Sequence, residues 1–104
     1  MQHRAASVSE LWDGEMQARS VGGKRVLLVH WEGRIHAYED RCAHLGVPLS
    51  EGMLDKGVIT CSAHHYQYDA CTGAGINPRS VCLRRYPVRI DGNDIYVDLG
   101  EGVR

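Results

Sequence analysis

Apolar residues alternate with polar ones along much of this chain, and that period of two predicts strands. The stretch KRVLLVHWEGRIHAYE predicts a hairpin: Arg25–Trp31, a turn at Glu32-Gly33-Arg34, then Ile35–Glu39. The stretch RYPVRIDGNDIYVDL predicts another. Tyr86, Val88 and Ile90 alternate with Arg85, Pro87 and Arg89, Asp91-Gly92-Asn93-Asp94 forms the turn, and Ile95, Val97 and Leu99 alternate on the return. Pro87 has no N–H for a ladder, so its strand belongs at an edge or bulges there. Met16–Ser20 is expected to pair with Lys24–Val29 across Val21-Gly22-Gly23-Lys24. No stretch carries a helical period. From Asp40 to Pro78 the pattern breaks into short strand pieces, Val58–Thr60 and Tyr66–Asp69 among them, between glycine-rich turns. The expected architecture is all-β, with a loop-rich insert over about residues 40–78 of one domain spanning 1–104.

Composition narrows the setting. The chain has 104 residues, 43% apolar and 24% charged, the balance of a globular protein. Its net charge of −1 lacks the basic footprint of a nucleic-acid binder. The longest aliphatic run, Val26 to Val29, is too short to span a bilayer. MQHRAASVSELW has no apolar run of the signal-peptide kind, so the cytoplasm is the expected compartment. Four cysteines in a reducing compartment point to metal or redox chemistry ahead of disulfides. Phenylalanine is absent, so Trp12, Trp31 and the five tyrosines are expected to supply aromatic packing.

The chemistry concentrates in one pattern: Cys42-x-His44, sixteen residues, then Cys61-x-x-His64. A single such pair reads most simply as a buried thiol beside a surface imidazole. Two pairs on two separate turns do not. Structural zinc uses the same donors, but usually with two cysteines on one knuckle and two histidines on a helix. One thiol and one imidazole on each of two loops suit a metal site with two unlike ends: one iron with both thiolates, the other with both imidazoles.

In that respect the chain resembles the Rieske-type [2Fe–2S] proteins, in which two histidines replace two cysteines on one iron. The stretches EGMLDKGVITCSAHHYQYDACTGAGINP and CLRRYPVRIDGNDIYV resemble, more narrowly, the ferredoxin component of multicomponent toluene and alkene monooxygenases. The likeness runs in outline from Glu10 to Leu99. It implies a Rieske-like antiparallel β-sandwich or incomplete barrel with a cluster-binding subdomain. It also implies one [2Fe–2S] cluster per chain, held by Cys42 and Cys61 on the buried iron and His44 and His64 on the outer one. Asp69, Thr72 and Gly73 match the family's turn after the second ligand loop, and Gly75–Pro78 matches a third loop over the cluster. Ser62 and His65 stand where many members have proline and glycine. His65 is expected to point away from the cluster.

The ligand set bears on the electron. Two neutral imidazoles leave the oxidised core with a charge of about zero, against about −2 for four cysteines, and so raise the potential. High-potential members add a loop-to-loop disulfide and a serine hydroxyl near a sulfide. Val47, Ala63 and Tyr66 occupy those positions here, so a potential toward the low end of the roughly −150 to +300 mV range is expected. The function implied is that of an electron carrier rather than an enzyme. It would take one electron at a time from a flavin-containing NAD(P)H reductase to a diiron hydroxylase, acting as a monomer without nucleic-acid or membrane partners. Other readings are a ferredoxin of a ring-hydroxylating dioxygenase, the Rieske-like small subunit of a reductase such as nitrite reductase, and a zinc-stabilised interaction module. Cys71 and Cys82 are expected to be packed thiols, His30 and His36 strand-surface residues, and His3 part of a loose terminus.

Overall fold

The strand β3 (Lys24–Trp31) is the centre of the molecule, because both of its faces are covered. Val26, Leu27, Leu28 and Val29 are all fully buried, which explains their unbroken apolar run. Side chains alternate across a strand, so these four serve two cores. Val26 and Leu28 pack with Ala6, Leu11, Ala37, Tyr86, Ile95, Val97 and Leu99. Leu27 and Val29 pack with Tyr38, Cys42, Leu49, Ile59, Cys61, Tyr68, Ala70 and Leu83. Each buried Leu or Val contributes about 1.5–3 kcal/mol.

The computed structural model describes residues 2–42, 47–62, 65–77 and 79–99. Among them, antiparallel sheets stack in three layers. The middle sheet has the order β2 (Glu15–Val21), β3, β4 (Arg34–Glu39), β9 (Arg85–Tyr86). One face meets a sheet of β1 (Gln2–Ser7), β11 (Asp94–Asp98) and β10 (Val88–Asp91). The other meets a small sheet of β5 (Met53–Asp55), β6 (Val58–Thr60), β7 (Gln67–Asp69) and β8 (Gly75–Asn77). The only helical turns among the described residues are two 3₁₀ turns, Val8–Glu10 and Leu49–Glu51.

The expected hairpins form, with local differences. Trp31 already pairs with Arg34, so the turn is Glu32-Gly33, with φ of 52° and 77°, and Arg34 belongs to the strand. That two-residue turn matches the twist of its flanking strands. Pro87 splits the strand expected on its two sides. β9 ends an edge of the middle sheet before it, and β10 lies at an edge of the outer sheet after it. Residues 2–7 form β1 rather than a loose terminus, with His3 opposite Val97. Trp12 does not pack: it is 73% exposed. The aromatic packing comes from the buried Tyr38, Tyr68 and Tyr86, and from Trp31 at the margin of the second core.

Candidate metal centre

Both candidate ligand loops leave the ends of strands that border the second core. The first follows β4, and Cys42 N–H donates to the carbonyl of Val47 at 2.8 Å. The second follows β6, and Cys61 N–H donates to the carbonyl of Tyr66 at 2.7 Å. Each cysteine therefore closes its loop onto the residue five positions later. Cys42 is 2% exposed and Cys61 0%, and both belong to the same core. His44 and His64 fall inside these two closures in chain order, and both lie outside the described residues.

The base of the first loop is clamped. The side chain of Asp40 is fully buried. It accepts from the Ser50 N–H at 2.8 Å, from the Ser50 hydroxyl at 2.9 Å and from the Arg25 guanidinium at 3.2 Å. One carboxylate thus ties the chain before the loop to the chain after it. Behind the loops, the Tyr68 hydroxyl lies 3.3 Å from Cys42 Sγ. The Tyr38 hydroxyl donates to the Ala70 carbonyl at 2.7 Å, and burial pushes its pKa well above the ordinary phenol range, so it remains a donor. This anchors β4 to the end of β7.

The turn after the second loop is built as its residue types require. The Asp69 carboxylate accepts from Cys71 N–H at 2.7 Å, and Thr72 Oγ1 accepts from Ala74 N–H at 3.2 Å. Gly73 has a φ of 79°, and a Cβ there would stand 2.8 Å from the Tyr38 ring, so only glycine fits. The segment expected as a third loop is largely the edge strand β8, because Gln67 and Tyr68 pair with Asn77 and Gly75; Pro78 lies outside the described residues.

His65 is exposed and has a φ of 58°. A left-handed non-glycine residue costs about 1–2 kcal/mol. Glycine would relieve that strain but adds about 0.5–1 kcal/mol of freedom to the unfolded chain. The expected net effect of His65→Gly is a gain of up to about 1 kcal/mol in a urea titration, with the visible spectrum unchanged.

Other side chains differ from the sequence reading. None of the four cysteines is in a disulfide, and Cys82 is exposed rather than packed, while Cys71 is partly buried. His30 is mostly covered, with Nδ1 2.8 Å from the Leu11 carbonyl. His36 is buried at 6% exposure, because its face of β4 is the one the third layer covers. Sequence reasoning missed the Asp40 clamp and the Tyr68 contact to sulfur; only the Asp directly upstream of Cys42 hinted at the former.

The donor set suits a cluster with unlike ends. Two buried cysteines stand at the bases of matching loops, and one has a hydroxyl positioned to donate to its sulfur. Residues 1–87 match the family model described as the Rieske [2Fe-2S] domain. The ferredoxin component of the alkene monooxygenase system of Xanthobacter autotrophicus is 46% identical over 92 residues, covering 88% of this chain and 75% of that protein. The ferredoxin component of the naphthalene 1,2-dioxygenase system of Pseudomonas aeruginosa is 32% identical over 96 residues, covering 91% of this chain and 92% of that protein. A chain in the solved complex of reduced oxygenase and oxidized ferredoxin of carbazole 1,9a-dioxygenase superposes with a TM-score of 0.87 at 28% identity, covering 99% of this chain and 96% of that one. With its family model spanning most of the sequence and two buried thiols at the bases of matching loops, the chain belongs to the Rieske [2Fe–2S] family, and its cofactor is a [2Fe–2S] cluster.

Proposed function

We propose that Cys42, His44, Cys61 and His64 hold the cluster, each loop giving one thiolate and one imidazole, and that the protein carries electrons to the diiron hydroxylase of an alkene or aromatic monooxygenase. The matching closures of the two loops, each with a buried cysteine at its base, carry the ligand assignment. The 46% identity to an alkene monooxygenase ferredoxin supports the choice of partner. A flavin-containing NAD(P)H reductase supplies the electrons, and the carrier works as a monomer in the cytoplasm. Among the described residues no helix is long and apolar enough to cross a membrane.

When bound, the cluster takes up and releases one electron. The protein's part is to set how readily that happens and who can approach. Reduction adds negative charge to the sulfurs, and a hydroxyl donating to Cys42 Sγ favours that state. A hydrogen bond stronger by about 1 kcal/mol in the reduced form raises a one-electron potential by roughly 40 mV. Tyr68 thus offsets part of the low potential expected from Val47, Ala63 and Tyr66. Tyr68→Phe keeps the ring and is expected to lower the midpoint potential by roughly 40 mV in protein-film voltammetry. An unchanged potential in a folded, fully loaded variant would remove Tyr68 from this role.

The docking face is the β8 edge of the small sheet, where Ile76 is 42% exposed. Val47 packs against the second core, so it is a poor probe. Ile76→Glu places a charge on the face without disturbing that core. It is expected to slow electron transfer to the hydroxylase about tenfold, while reduction by dithionite and the visible spectrum stay the same. Full hydroxylase turnover with Ile76→Glu would place docking elsewhere. A second reading, a ferredoxin serving a ring-hydroxylating dioxygenase, draws on the 32% identity to the naphthalene dioxygenase ferredoxin. Reconstituted turnover with each oxygenase type separates the two.

A further inference from the structure

Two adjacent carbonyls at one end of the small sheet are held from the middle sheet. The Ala70 carbonyl accepts from the buried Tyr38 hydroxyl at 2.7 Å, and the Cys71 carbonyl from the Arg85 guanidinium at 3.0 Å. The same guanidinium lies 3.2 Å from Nδ1 of His36. A guanidinium only donates, so Nδ1 accepts and the proton of the neutral ring sits on Nε2. His36 on β4 therefore sets the direction of Arg85 on β9, and Arg85 reaches across to the turn at 70–73. This contact is at the end of β6 and β7 away from Cys61: Asp69 pairs with Val58, and Ala70 N–H donates to the Gly57 carbonyl.

His36 can make that bond in one protonation state only. A proton on Nδ1 removes the acceptor and sets a second positive charge against Arg85. The buried Nε2–H has no partner among the described residues, so the closed arrangement satisfies the ring at Nδ1 alone. The charges around the ring are Arg34 on its own strand, Arg85 on β9, Asp69 on β7 and Glu32 in the hairpin turn beside it. On β3 the residue opposite is the uncharged Val29. Burial, with the charges of Arg85 and Arg34, outweighs Asp69 and holds the imidazole pKa below its ordinary value. Tyr38 and Cys71 stay protonated, since burial raises the pKa of both. With the turn lifted, the ring meets water and titrates near 6.5. Below that pH the open form binds more protons than the closed one, so its population rises until the pH reaches the closed-state pKa.

We propose that His36 and Arg85 form a proton-operated latch between the middle sheet and the small sheet: neutral His36 steers Arg85 onto the Cys71 carbonyl and holds the turn at 70–73 down, and protonated His36 releases it. No candidate cluster ligand takes part, so the latch does not depend on the ligand assignment or on the identity of the redox partners.

Hydrogen exchange of the loaded protein tests this at the Gly73 and Leu83 amides, which donate to the Asp69 and Gly73 carbonyls and report whether the turn is down. Their protection factors are expected to fall about tenfold between about pH 7.5 and about pH 5.5, while those of β11 stay constant. His36→Asn keeps an acceptor for Arg85 that does not titrate, and is expected to remove this pH dependence. Arg85→Ala, at an exposed position, cuts the latch at its other member and is expected to lower protection at both amides already at about pH 7.5. A pH dependence in His36→Asn as large as the parent's would assign it to another group and overturn the proposal. So would constant protection in the parent, or parent-like protection in Arg85→Ala.

Discussion

Cys61→Ala is expected to yield a colourless protein that retains its first core. Cys61 is fully buried at the base of the second loop, and in the proposed assignment it is one of four protein donors. Alanine leaves three; Cys71 sits on a turn whose backbone is fixed by Asp69, and Cys82 lies outside the second core on the exposed surface. Metal-site binding free energy is folding free energy for the segments that supply the ligands. The loss should therefore be local. Iron and sulfide analysis should fall from two of each per chain to near zero. Hydrogen exchange should speed up in β5–β8, while the amides of β3, β4 and β11 remain protected, because their shared core contains neither cysteine. The same outcome is expected for Cys42→Ala, His44→Ala and His64→Ala. Stoichiometric iron in any one of the four would falsify the ligand set.

Asp40→Ala is expected to be the most destabilising change outside the ligands. The carboxylate serves three donors from a fully buried position, and its removal strands the Ser50 N–H and hydroxyl. An unmet buried donor costs about 1–3 kcal/mol. The Arg25 partner is 62% exposed, so its share is small and solvent-screened. The sum is a loss of about 2–4 kcal/mol, or roughly 10–20 °C in Tm for a domain of this size. Asp40→Asn keeps an acceptor and should cost about half as much. Calorimetry of the loaded proteins makes the comparison. Since Asp40 joins the two ends of the first loop, the alanine variant should also release iron to a chelator faster than Asp40→Asn. Equal stability of Asp40→Ala and the parent would mean that the clamp holds nothing.

How much of this was legible in the sequence depended on the range of the interactions. Hairpins around Glu32-Gly33 and Gly92 could be read because alternation and turn residues are local signals. The candidate ligand loops stood out because Cys and His at that spacing are chemically rare, and the structure shows a buried cysteine at the base of each. β1 could not: QHRAAS places only one side chain, Ala6, fully in a core, and its pairing partner lies at the far end of the described chain. His36 looked like a surface residue because strand alternation does not say that a third layer covers that face. Trp12 looked like a core residue because size suggests burial, yet its loop between the first 3₁₀ turn and β2 turns it outward. Asp40–Ser50 and Cys42–Tyr68 join residues 10 and 26 positions apart, and only the assembled fold brings them together.

The alternation of β3 has a bearing on how the protein matures. Since Val26 and Leu28 complete a core that contains neither candidate cysteine ligand, the two-sheet half encloses its own interior. A newly made chain is expected to fold that half while iron is still absent. It then presents Leu27 and Val29 as a ready floor on which the ligand-bearing half closes when the cofactor is delivered. Iron insertion becomes the final stage of assembly rather than its trigger. A chain waiting in a cell short of iron is then expected to be a half-finished platform rather than a random coil, with an apolar floor open to solvent.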